Sequence, residues 1–192
     1  MTPPVSGPIY TIGHSTRTLP DFVTLLRQAD VTQLVDVRSI PRSRAMPQFN
    51  GDTLPEALAA AGIGYRHLPA LGGRRHHRKG APPSANTYWQ VPAFRNYADY
   101  AEAREFRTGL LELLDLARAD RCAIMCAEAV WWRCHRRIIT DYLLAGGTRV
   151  EHIMGPGQVI AATLTPGALV TPAGVLHYPA AVSSDRAPDA AR

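Results

Sequence analysis

The chain has no apolar run approaching the roughly 20 residues that a bilayer-crossing helix needs, so a helical membrane span is not expected. Its first eight residues, Met1 to Pro8, lack both a basic start and an apolar stretch, and read as an N-terminal extension rather than a secretory signal. Three cysteines are an odd count and too few for a disulfide framework. They imply a reducing compartment, and the expected location is cytoplasmic. Charged residues make up 19% against 46% hydrophobic, which is the balance of a folded domain and excludes a disordered chain. The only repeat-like feature is Thr18-Leu19-Pro20-Asp21 returning as Thr53-Leu54-Pro55-Glu56, and this reads as helix-capping chemistry.

With 192 residues there is enough chain for one good core. The net charge of +5 suits an anionic small molecule or nucleic acid as partner. An Arg- and Ala-rich composition produces the same charge without any ligand, so charge alone leaves both readings open.

Short β-branched runs alternate with capped amphipathic segments. Ile9 to Gly13 reads as a strand, and Thr18 opens a helix with Phe22, Leu25, Leu26 and Ala29 on one face. Gln33 to Val37 is a second strand, apolar nearly throughout, as expected where helices cover both faces of a parallel sheet. A helix from Thr53 to Gly62, a strand at Ile63–Leu68, a helix from Arg95 or Glu102 to Arg118 and a strand at Cys122–Cys126 follow. A helix from about Arg133 to Leu144, stopped by Gly146-Gly147, leads to a fifth strand at Thr148–Met154. The pattern predicts a three-layer α/β/α, Rossmann-like fold with a mostly parallel sheet of about five strands. The α/β domain is expected over residues 9–156, a C-terminal strand or hairpin segment over 157–178, and a flexible tail over 179–192. Two loops are long for such a fold, Arg38–Asp52 and Pro69–Pro92, as is typical of functional lids or disordered segments.

Open α/β sheets bind ligands beyond the carboxyl ends of their strands, and the distinctive polar residues fall there. His14 and Ser15 follow the first strand, Asp36 and Arg38 close the second, and Cys126 and Glu128 close the fourth. Cys134-His135-Arg136 open the next helix, whose amides favour an anion. His14, Glu128, Cys126 and His135 are the candidates for catalysis. Ser15, Asp36, Arg38, Arg44, Trp131 and Arg136 are the candidates for holding substrate. Plainer explanations stand beside each: Asp36 in an apolar strand pairs with an arginine for structure alone, and Cys126 is a small core residue like Cys122. A strand-end cysteine ahead of a helix N-terminus is also the setting of a reactive thiol, which an ionised Glu128 would oppose. Trp131 and Trp132 either stack a base or pack. The C-x7-C-H spacing lacks a recognisable fourth partner, so no metal and no cofactor are expected.

Several of these motifs resemble one family. I-Y-T-I-G-H-S at 9–15, V-D-V-R-S-I-P-R-S-R at 35–44, Pro47-Gln48-Phe49, L-G-G at 71–73 and C-A-E…R-C-H-R at 126–136 are similar to the prokaryotic domain-of-unknown-function family 488. The likeness runs from Ile9 to Ile153. It implies an α/β domain and carries no reaction with it. The chain departs from the family pattern at Trp131-Trp132 and in the His- and Arg-rich loop after Gly73. A fainter likeness to rhodanese-like domains lies in Leu34–Arg38 and in the Cys126–Gly147 segment, whose loop is longer here.

The leading expectation is an enzyme acting on a phosphate-bearing substrate, a nucleotide or nucleic acid. The alternatives are sulfur or acyl transfer through Cys126, and a non-catalytic nucleotide or nucleic-acid binding module.

Overall fold

A computed structural model describes residues 5, 7–77, 80 and 82–180 of the chain. Most of the expected N-terminal extension, Arg78 and Lys79 of the basic loop, and residues 181–192 of the expected tail lie outside the described residues.

The apolar runs become strands β1 (Ile9–Gly13), β2 (Gln33–Asp36), β3 (Gly64–His67), β4 (Cys122–Cys126) and β5 (Val150–Gly155), all parallel. A sixth strand, β6 (Gln158–Ala161), joins β5 in antiparallel pairing, giving the order β3-β2-β4-β1-β5-β6. The helices are α1 (Leu19–Gln28), α2 (Leu54–Ala59), α3 (Pro92–Tyr100), α4 (Arg104–Ala119) and α5 (Arg136–Ala145). Single 3-10 turns lie at Pro47–Phe49, Pro69–Leu71 and Trp131–Arg133. The result is the three-layer α/β, Rossmann-like arrangement that the alternation predicts. No helix among the described residues is long and apolar enough to cross a membrane.

Side chains alternate across the sheet, and this divides the core in two. Tyr10, Ile12, Leu34, Ala123 and Met125 pack with α1 and α2. Ile9, Val35, Val37, Cys122, Ile124 and Val150 pack with α3, α4 and α5. Asp36, two residues past Leu34, therefore belongs to the α1/α2 face, and Cys126, two past Ile124, to the opposite face. Pairing sets Asp36 beside Met125 and Gly13 beside Cys126, so the three strands finish almost level.

The two capping motifs part company. Thr18 Oγ1 accepts the Asp21 amide at 3.2 Å and starts α1. Thr53 is itself helical, its hydroxyl donates to Asp52, and the α2 turn starts instead from the carbonyl of Asn50. The single helix expected between Arg95 or Glu102 and Arg118 is two, because Ala103 adopts extended backbone (ψ 154) between α3 and α4. Residues 157–178 supply β6 and then a small hairpin, β7 (Leu169–Val170) with β8 (Leu176–His177), after which Leu176 and Tyr178 enter the core.

Candidate functional site

On the α1/α2 face, the end of β2 is a closed polar network. Asp36 is fully buried. Its carboxylate accepts the Arg38 amide at 3.0 Å, Arg38 Nε at 2.8 Å, Arg38 Nη2 at 2.5 Å and the Tyr65 hydroxyl at 2.8 Å. Arg38 Nη2 also donates to the Phe49 carbonyl at 2.7 Å. Burial works against the Arg38 charge, but the hydrogen-bonded Asp36 carboxylate outweighs it and raises the guanidinium pKa. Burial and the same carboxylate push the Tyr65 hydroxyl above its ordinary value.

His14 completes the network. Its ring stacks on Phe49 at 4.4 Å, its Nδ1 faces the Ser15 carbonyl at 2.9 Å and its Nε2 faces Arg38 Nη1 at 3.3 Å. A guanidinium only donates, so Nε2 carries the lone pair and Nδ1 the proton. Burial pushes the His14 pKa down despite the Ser15 bond, which keeps the imidazole neutral. Gly13 permits the approach of the neighbouring loop: a Cβ there would stand 1.9 Å from the Glu128 carbonyl oxygen. Ser15, at φ +49, is joined to that loop through its amide and the Ala127 carbonyl.

The opposite face carries a different group. Cys126 ends β4, and Cys134 and His135 immediately precede α5. His135 Nε2 donates to the Val37 carbonyl at 2.9 Å, and Tyr97 packs edge-on against the ring at 5.1 Å. Nδ1 is left facing the two sulfurs, 4.0 Å from Cys126 Sγ and 3.6 Å from Cys134 Sγ. The thiols share their protons unequally. The hydrogen bond to Cys134, reinforced by burial, pushes the Cys126 thiol well up. Burial opposes ionisation of Cys134 as well, but the bond from Cys126 and the nearby His135 and Arg136 prevail and hold it well below the ordinary thiol range. Of the two thiols, Cys134 is thus the more acidic.

Both faces meet in one cavity of about 440 Å³ at the strand ends. Its lining includes His14, Arg38, Cys126, Glu128, Cys134 and His135. Arg42, Arg74 and Arg133, all exposed, line it as well. Glu128 is the one carboxylate in that lining among the described residues, and it is exposed. The L-G-G loop forms a wall: the Leu71 carbonyl accepts the Tyr97 hydroxyl at 2.7 Å, and the Arg74 amide donates to Ser39 Oγ at 2.9 Å.

Of the residues singled out in the sequence, His14, Arg38, Cys126, Glu128 and His135 converge on this cavity. Asp36 and Ser15 lie outside the lining and act through their hydrogen bonds. Arg136 is buried beneath it, donating from Nε to Cys134 Sγ at 3.3 Å and from Nη2 to the Glu128 carbonyl at 2.5 Å. Arg44 lines an adjoining groove with Pro47, Asn50 and Asp52. Trp131 stacks face to face on His152 at 4.4 Å, so one side of its ring is already covered. Sequence reasoning did not choose Arg74, Arg133 or Tyr65 as site residues, although the first two fall within stretches it quoted. The first two sit directly beside the L-G-G and C-H-R motifs, a proximity that could have marked them.

Fold and cavity together define an α/β domain with a pocket lined by arginines and cysteines at its strand ends. The family described as domain of unknown function DUF488 matches residues 18–143, well over half of the chain, and the chain belongs to it. The matched span includes every cavity residue named above except His14. No curated protein and no solved structure matches the chain.

Proposed function

We propose that this protein is an enzyme that binds a phosphate-bearing substrate, a nucleotide or nucleic acid, in the strand-end cavity. The observation that carries the reading is the lining itself: among the described residues, three exposed arginines and the buried Arg38 surround a pocket that holds a single carboxylate. Guanidinium groups match phosphate oxygens in geometry and charge. Arg42, Arg74 and Arg133 are free to reorient toward an anion. Among the described residues the Arg42 side chain pairs only with Asp52 at 3.6 Å, a weak and solvent-exposed pair. Arg38 is fixed by Asp36 and His14 and marks the pocket wall, with His14 acting as a positioning residue for it. Glu128, whose carboxylate has no hydrogen-bond partner among the described residues, is the proton-transfer group. Three free cysteines fit a reducing, cytoplasmic setting.

A second reading is cysteine-dependent sulfur or acyl transfer through Cys126, which lines the cavity beside Cys134. It stands behind the first because the bond to Cys134 and burial push the Cys126 thiol up, and Cys134 is only 2% exposed.

The test is binding of nucleotides and short nucleic acids over a range of salt, with turnover followed in parallel. An Arg74→Ala, Arg133→Ala double variant is expected to bind roughly 10- to 100-fold more weakly, the loss of charge-assisted hydrogen bonds. Glu128→Gln is expected to bind normally and turn over roughly 100- to 10,000-fold more slowly. Unchanged affinity in the double variant would remove the anion site. Binding with no turnover by the wild type would leave a binding module instead of an enzyme.

A further inference from the structure

On the α3–α5 face, three side chains of metal-ligating type aim at one another. Cys126 Sγ, Cys134 Sγ and His135 Nδ1 all lie within 4.8 Å. A tetrahedral zinc site has Zn–S near 2.3 Å and Zn–N near 2.0–2.1 Å, so its sulfur and nitrogen corners stand about 3.6 Å apart and its sulfurs about 3.8 Å apart. The imidazole nitrogen is 3.6 and 4.0 Å from the two sulfurs. We propose that Cys126, Cys134 and His135 hold a zinc ion whose fourth position opens into the cavity.

The surroundings support a cation at this point. The Nε2–H bond to the Val37 carbonyl fixes the tautomer and leaves the Nδ1 lone pair turned toward the sulfurs, the outer bond that histidine ligands usually make. Gly73 leaves Nδ1 uncovered. A Cβ at that position would stand 2.4 Å from it, and Gly73 does not have the positive φ that would call for glycine on backbone grounds. Arg136 Nε reaches the Cys134 sulfur at 3.3 Å, a contact that suits a thiolate ligand and lowers its charge density. Two thiolates and a dication sum to zero charge, so neither Arg136 nor Arg38 faces a net positive centre.

The donor set selects the metal and its role. Two sulfurs and an imidazole suit zinc and disfavour magnesium or calcium, which take oxygen. Structural zinc sites close with four protein ligands, whereas catalytic ones have three and an open place. Among the described residues the cluster has three such ligands, and all three line the cavity. Zinc in such a site supplies Lewis acidity and activates water near neutral pH. This deepens the proposed function by making the reaction hydrolytic, and rests on that reading for the substrate alone. The sequence reading set the C-x7-C-H spacing aside for want of a fourth protein ligand, which an open site does not need.

The test is a titration of the reduced chain with Co²⁺ under anaerobic conditions, read by thiolate-to-cobalt charge transfer and the visible bands of tetrahedral cobalt. One equivalent is expected to bind and to be displaced by Zn²⁺. Cys126→Ser, Cys134→Ser and His135→Ala are each expected to weaken binding at least about 100-fold, beyond what loss of an outer partner costs. Gly73→Ala, which alters no ligand, is expected to weaken it by about tenfold, and Cys122→Ala not at all. Absence of thiolate bands in the wild type would overturn the site, as would binding indifferent to Cys134→Ser or His135→Ala. Nucleotide binding by the metal-free chain, measured separately, distinguishes failure of the metal site from failure of the anion site.

Discussion

The two faces of the sheet treat buried polar groups in opposite ways. On the α1/α2 side, Asp36, Arg38, Tyr65 and His14 satisfy one another so fully that little is left to offer a ligand. On the α3–α5 side, Cys126, Cys134 and His135 face one another, with His135 Nδ1 standing 4.0 and 3.6 Å from the two sulfurs. His152 on that same face has its Nδ1 on Thr11 Oγ1 at 2.7 Å and its Nε2 without a partner among the described residues. A satisfied network rigidifies a wall, whereas an unsatisfied one costs stability and supplies chemistry. The difference marks the first face as scaffold and the second as the side that carries the metal-ligating side chains and an unpartnered buried nitrogen.

The contrast is broken most forcefully by removing the carboxylate. Asp36→Ala leaves Arg38 charged at 6% exposure without its partner, and is expected to cost about 3–5 kcal/mol. Urea denaturation checks it, and a loss below about 1 kcal/mol would mean that the network is not a scaffold. Next in size is acid. Burial, with a smaller contribution from Arg136, pushes the His152 pKa from 6.5 down to about 4. The unfolded chain therefore takes up this proton first, and stability falls as pH drops from about 6.5 to about 4, by up to about 3 kcal/mol. His14 is also pushed down and adds to the slope, so urea midpoints of wild type against His152→Phe, at pH 7 and pH 4, isolate the His152 share. A wild-type slope retained in His152→Phe would refute the assignment. The smallest expected effect is Cys134→Ser, about 1 kcal/mol, because serine keeps an acceptor for Arg136 Nε. A loss rivalling that of Asp36→Ala would make the thiol structural and erase the distinction between the faces.

How far this was legible in the sequence depended on whether the signal was local. Strands β1, β2, β4 and β5 were marked by apolar runs, and α1 by a cap whose partner is three residues away. The break at Ala103 carries no glycine or proline, so nothing local announced it. Likewise Thr53 has the same four-residue pattern as Thr18 and does not cap, because the preceding turn at Asn50 dictates its backbone. The strand-end rule pointed to the end of the sheet where the cavity lies, and His14, Arg38, Cys126, Glu128 and His135 line it, whereas Ser15 and Asp36 flank strands without doing so. What the rule did not separate was which of them face the pocket. Alternation puts Asp36 and Cys126 on opposite sides of the sheet, and only contacts from distant segments, Tyr65 for one and Gly73 for the other, show what each side does.

Tyr178 has a consequence for how the chain is made. Its ring packs on Trp89, its hydroxyl reaches Asp141 at 3.0 Å, its amide reaches Asn86 and its carbonyl takes the Tyr88 amide. It joins the loop between β3 and α3 to α5, yet it lies far beyond the last parallel strand. A ribosome must therefore release this residue before the α3–α5 side can close over its core. Until then the thiol-bearing half of the domain is the unfinished half, and its cysteines meet the cellular milieu before their pocket exists.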